Sequence, residues 1–233
     1  MNSSVSVAPT PVPAKGSWRW CAENYLHNLW WKMDRQFIQQ FSGVVTCSIL
    51  DEFCREYRVA RTFDGMSIRR YQAFADALNR NTGTIFRRSA AAERTLLTRD
   101  DVPLIVEAEL TALFRAYGQD PLSALTKGLW MMKQHPVVIC DSTAKKGMKL
   151  AGLNPGYRYQ SYYDAWFEFF ERPETQSALD DAVAWVPTCP SAVRLIATQK
   201  ISAQSLNDFI ASPAFRNRVL DRWLTFKGGA TNW

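Results

Sequence analysis

Apolar side chains recur every three to four positions through most of the chain. They do so first in SWRWCAENYLHNLWWKMDRQFIQQF, where Trp18, Tyr25, Leu29, Trp30, Met33, Phe37 and Phe41 mark one face. A helix with a single buried stripe leaves this signature. Residues 46–58 repeat it more briefly, and SIRRYQAFADALNRN starts at Ser67, a candidate N-cap, and stops at Asn81 and Gly83. Residues 84–99 are weakly helical. DDVPLIVEAELTALFRAYG opens with acids and a first-turn proline and closes on Gly118, so both ends of that helix are marked. DPLSALTKGLWMMKQ, with Pro121 near its first turn, predicts another, and Ser142 to Ala151 a short one. YQSYYDAWFEFFERPETQSALDDAVAWV predicts two helices broken at Pro173, and SLNDFIASPAFRNRVLDRWLTFKG a final pair separated at Pro213. Only VVTCSIL and PVVICD suggest extended chain, and neither alternates. The fold class expected is all-α. Residues 1–17, rich in Ser and Pro, predict a disordered tail. The remainder, 18–233, reads as one helical domain or two lobes built from interleaved segments.

Charge adds a direction. The 28 basic and 22 acidic side chains leave a net charge of +6, which favours polyanionic partners such as DNA or nucleotides. Lys145, Lys146, Lys149 and Arg158 cluster around one short helix with no acid between residues 142 and 163, a candidate phosphate-contacting set. Arg69, Arg70, Arg87 and Arg88 form a second patch, whereas Arg216, Arg218 and Arg222 read as scattered surface arginines that Asp221 partly neutralises. Five cysteines without dense spacing fit reduced thiols in a cytoplasm. No apolar run approaches the about 20 residues that cross a bilayer, so no membrane partner is expected, and the N-terminus lacks the pattern of a signal peptide.

Several chemistries are excluded. Two histidines, His27 and His135, and no CxxC pair leave too few ligands for a structural zinc, so no metal is expected. Cys47 and Cys54 resemble the first step of the iron-sulfur loop in endonuclease III relatives. Tyr57 stands where the next cysteine is needed, so two core cysteines are the simpler reading. No phosphate-cradling glycine loop and no GxSxG elbow occurs, and no cofactor is implied.

What remains is LTKGLWMMKQHPVVICDS. Lys127 lies early in a helix, and Asp141 follows an extended apolar return and opens the next helix. A helix advances about 1.5 Å per residue, so the returning segment has the length to bring the carboxylate back beside the amine. The structural readings are a capping aspartate, followed as it is by Ser-Thr-Ala, and a solvated lysine.

Helix, extended return, aspartate, helix: this layout resembles the helix-hairpin-helix DNA glycosylase superfamily, particularly the 8-oxoguanine DNA glycosylase fold. TKGLWMMKQHPVVICDS looks like SKxLxFxxPxxxPIxDS, a pattern of uncharacterised bacterial proteins of that fold, with the same interval of fourteen between lysine and aspartate. FRNRVLDRWL resembles their closing segment, so the resemblance covers residues 100 to 226. It implies that Lys127 attacks the sugar C1′ and that Asp141 stabilises the cationic sugar that develops. The chain departs from the superfamily in two places. LSALT stands where the hairpin's phosphate-gripping GxG turn belongs, and the lysine sits about one helical turn nearer the aspartate than in the well-studied enzymes.

Three functions follow. The first is a glycosylase-like protein that recognises, and excises, a modified or unusual base in DNA. The second is a non-catalytic nucleic-acid or nucleobase binding module, an accessory to an antiphage operon with an operon-encoded protein partner. The third is a helical interaction scaffold whose aromatic first helix docks a partner. Nine tryptophans, and Tyr157, Tyr159, Tyr162 and Tyr163, supply candidates for stacking on an extruded base. Converging Lys127, Asp141 and an aromatic wall would favour base handling, and a flat apolar groove a scaffold.

Overall fold

The aromatic-rich stretch that opens the pattern folds as a continuous rod of three parts: α1 (Trp18–Asn24), a π-helical segment (Tyr25–Asp34) and α2 (Arg35–Phe41). The spacing predicts α-helix throughout. Instead the middle widens, and the Arg35 N–H donates to Trp30 O, five residues back. The wider turns carry the inward face from Leu29 and Trp30 to Asp34, which is fully buried while Met33 is only half-buried. An acidic residue is thus delivered into the interior.

This is a computed structural model, and it describes residues 12–59, 68–81 and 98–230, among which no strand occurs. Ser67, Gly83, Arg87, Arg88 and nearly all of the weakly helical stretch lie outside the described residues, as do the side chains of Arg69 and Arg70. Ahead of α1, Ser17 N donates to Ala14 O, the Ser17 hydroxyl caps Trp20 N, and Gly16 lies against Phe226. The last residues of the segment read as a tail therefore pack on the fold.

Polar caps explain most of the other starts. Thr46 caps α3 (Cys47–Glu56), turning the VVTCSIL candidate from strand to helix. Next come α4 (Ile68–Asn81), α5 (Asp101–Tyr117), which ends on left-handed Gly118, and α6 (Leu122–Lys133). After the extended return, Asp141 caps α7 (Ser142–Leu150). Then follow α8 (Tyr159–Phe170) and α9 (Pro173–Trp185). A helix that the pattern does not predict, α10 (Pro190–Ala197), uses proline in its first turn and the Cys189 sulfur as its cap. Ser202 and Ser212 cap α11 (Ala203–Ile210) and α12 (Pro213–Lys227).

The apolar interior divides in two. One cluster gathers α2 to α8 with Leu220 and Leu224, and the other gathers α1, the π segment and α9 to α12. Trp18, Met33, Phe170 and Trp223 touch both. The first rod and α12 contribute residues to both clusters.

Two features fix the parts that matter for the site. First, α7 lies almost backbone to backbone on α12. A Cβ on Gly147 would fall 1.8 Å from Leu224 O, and one on Gly228 would fall 2.0 Å from Thr143 O, so only glycine allows this approach. Second, the return PVVIC has no neighbouring strand to satisfy its carbonyls. Tyrosines of α8 do so instead: Tyr163 donates to Pro136 O at 3.1 Å, Tyr159 to Val138 O at 2.9 Å and Tyr162 to Ile139 O at 2.9 Å. Val137, Val138, Ile139 and Cys140 are buried together, which is why the run shows no alternation.

Candidate functional site

A cavity of about 700 Å³ opens between the π segment, the end of α3, α6, the start of α7 and α12. Lys127 and Asp141 both line it. Their register has a local cause. Thr126, one residue before Lys127, donates its hydroxyl to Leu122 O at 2.9 Å and accepts the N–H of Cys140, one residue before Asp141, at 3.1 Å. The interval of fourteen is therefore pinned one residue upstream of each site residue.

Asp141 has extended backbone, and its Oδ1 accepts the Ala144 N–H at 2.7 Å, so the capping role is real and leaves the rest of the carboxylate at the cavity. Lys127 is not the solvated lysine of the simpler reading. Its amine forms no hydrogen bond or ion pair among the described residues. Burial lowers its pKa from the ordinary lysine value, against the upward pull of Asp141 and Asp221. A lysine depressed in this way has more of the nucleophilic free amine near neutral pH.

The opposite wall is one that the sequence reading misplaces. Arg218 and Arg222 are 4% and 3% exposed, not surface residues, and Asp221 is buried with them. Arg218 reaches back to the π segment, with Nε 3.3 Å and Nη2 3.2 Å from Asp34 Oδ2, and forward to Asp221 Oδ2 at 2.6 Å through Nη1. The Tyr57 hydroxyl donates to the other Asp34 oxygen. Burial alone would lower the Arg218 pKa, but Asp34 and Asp221 outweigh it and hold the guanidinium charged. Burial pushes the Asp221 carboxyl up to about 6 despite Arg218, with Asp141 adding to the rise. Burial and the neighbouring Arg218 charge bring Arg222 down to about 10, and it donates to Asn24 Oδ1 at 2.5 Å. Asp221 Oδ1 is buried with no partner among the described residues. The sequence carried no local signal for this wall: Arg218, Asp221, Arg222 and Thr225 recur at three-and-four spacing on one face of α12, the pattern of a solvated stripe, yet that face is turned inward.

The remaining candidates lie elsewhere. Lys146, Lys149 and Arg158 are exposed, Lys145 donates to Tyr157 O at 3.2 Å, and none of the four lines the cavity. Arg216 pairs with Asp180 at 2.5 Å outside it. Nor is there an aromatic wall, since Tyr57 is the one aromatic lining residue among those described. Trp18 stacks on Trp223 with centroids 4.6 Å apart and Trp30 on Phe209 at 4.1 Å, while Tyr159, Tyr162 and Tyr163 hold the return and Tyr157 is 99% exposed. Cys54 is a core residue and Cys47 half-buried, and no cluster of three or more metal-ligating side chains occurs among the described residues. No described helix is long and apolar enough to cross a membrane.

No protein-family model matches the sequence, and no match was found among curated proteins or solved structures.

Proposed function

We propose that the cavity handles a modified or unusual base of DNA and that Lys127 excises it. The neutral amine attacks C1′, and the bond from C1′ to the base nitrogen breaks, with its electron pair and the amine's proton passing to the departing base. Asp141 stabilises the positive charge that develops on the sugar, and opening of the sugar ring leaves the imine that borohydride reduces. One observation carries this reading: an unpartnered, desolvated amine and a carboxylate share a cavity whose volume suits a nucleotide-sized ligand. The exposed Lys146, Lys149 and Arg158, with the half-buried Lys145, then serve the strand outside the cavity. Borohydride trapping with duplexes carrying 8-oxoguanine and a panel of other altered bases tests the chemistry. The expected result is a covalent adduct that Lys127→Gln abolishes and Asp141→Asn slows. Absence of both adduct and base release across the panel overturns excision.

A second reading, a module that binds a nucleotide without cleaving it, draws on the turn before α6. Asp120 Oδ1 accepts the Leu122 N–H at 2.9 Å, so a carboxylate of the chain itself occupies an amide at the helix start where a strand phosphate would be gripped. Binding without excision, unaffected by Lys127→Gln, would favour it.

A further inference from the structure

Two features of the cavity have no part in the excision chemistry. At its buried end, Asp221 is held by one oxygen on Arg218 and turns its other, Oδ1, to no partner among the described residues. A buried carboxylate oxygen without a donor is costly, and the side chain that carries it lines the cavity. Arg218 does not provide a second donor there, since its Nε and Nη2 are engaged by Asp34. At the exposed end stands Arg58. Its N–H donates to Arg55 O at 3.1 Å and the Val59 N–H to Cys54 O at 2.9 Å, closing α3 with the paired bonds that normally place glycine at this position. Here an arginine adopts φ 53, a left-handed backbone that a side chain disfavours. Its guanidinium makes no ion pair among the described residues, whereas Arg55 beside it is paired with Asp51. A strained residue carrying an uncommitted charge at a cavity mouth is where a ligand contact is expected.

We propose that the cavity holds one nucleotide in a fixed sense, with an N–H edge of its base on Asp221 Oδ1 at the buried end and its phosphate on Arg58 at the rim. The choice of a nucleotide over other ligands with a donor at one end and an anion at the other rests on the base-handling reading above. The same ligand chemistry has two sources, a free nucleotide or one residue of a strand.

Titration calorimetry on the full chain separates these terms. Deoxyadenosine, which has an exocyclic amine, should bind at least about tenfold more tightly than purine deoxyriboside, which has no N–H on its base. The wild-type protein suffices for this comparison, and Asp221→Asn, where it folds, should weaken the preference for the amine. Adding a 5′-phosphate should tighten binding about tenfold more, and Arg58→Gly should remove that gain. The same substitution should leave thermal stability unchanged or raised, because glycine accepts φ 53 freely. Binding of the free monophosphate supports a free ligand, and binding confined to a single-stranded or duplex oligonucleotide with the same base and phosphate dependence supports a nucleotide within a strand. Equal affinity for deoxyadenosine and purine deoxyriboside, as when water alone occupies the Asp221 site, or no binding by any form, overturns the proposal. A borohydride adduct formed with equal affinity for the two nucleosides would overturn this proposal and leave excision standing. Amine discrimination without an adduct would do the reverse.

Discussion

The backbone N–H of Cys140 donates to the hydroxyl of Thr126 at 3.1 Å, and each of these residues immediately precedes one of the two that share the cavity. Thr126→Val keeps the shape and removes the acceptor, leaving a buried amide unsatisfied. A loss of about 1 to 3 kcal/mol in denaturant unfolding is expected. If Lys127 and Asp141 act together, activity or ligand binding should fall further than stability alone accounts for, and Thr126→Ser should restore both.

The first rod and the last helix are joined by a buried ion pair, Asp34 with Arg218. Removing one partner strands a charge in the interior, so Asp34→Leu or Arg218→Met alone should cost about 3 to 5 kcal/mol. The double variant should cost clearly less than the sum, because both charges leave together. A double-mutant cycle by chemical denaturation gives the coupling, and additive losses would mean that the pair contributes nothing specific.

Lys127 should show its depressed pKa chemically. Its folded-state value lies below the ordinary 10.5, so as pH rises it loses its proton before an exposed lysine does. Competitive acetylation followed by peptide mass spectrometry should give Lys127 a titration midpoint below the ordinary lysine value of 10.5. The stability sign follows from the same shift. The unfolded chain keeps the proton up to about 10.5 while the folded chain releases it earlier, so folding is penalised at neutral pH and the penalty fades as pH rises through the folded value toward 10.5. Lys127→Met should therefore raise the melting temperature at pH 7 while abolishing the chemistry.

Gly147→Ala should be severe, with a loss of several kcal/mol or failure to fold, since its Cβ meets the Leu224 carbonyl at 1.8 Å and two helix backbones must separate. Gly43, where a Cβ would meet nothing within 4 Å, is the control. Gly43→Ala should change stability by less than about 0.5 kcal/mol.

How much of this could be read from the chain depends on where each signal resides. Helix starts were legible at Asp141 and at the prolines of α9 and α12, because caps and first-turn prolines act within a few residues of sequence. The pairing of Lys127 with Asp141 in one cavity was legible through their interval, since a helix, a return and a fixed register have calculable lengths. The π segment was not. Three-and-four spacing of Leu29, Trp30 and Met33 fits a normal helix, and only the partner of Asp34, 184 positions away, explains the widening. Arg218 and Arg222 were misread for the same reason: a charge is taken as solvated until its counter-charge is seen. The aromatic residues were misplaced because spacing says that a ring is buried, not whether it meets a cavity, another ring or a carbonyl.

The tyrosines of α8 give the site an unusual dependency. None of them lines the cavity, yet their three hydroxyls fix the return that carries Asp141. In a sheet, the neighbouring strand would dictate that path through backbone alone, and side-chain changes would leave it in place. Here the path is encoded in side chains of a separate helix, so the distance between amine and carboxylate can be retuned by substitutions that never touch either group. A variant with altered specificity could thus carry its change in α8, where inspection of the cavity would overlook it.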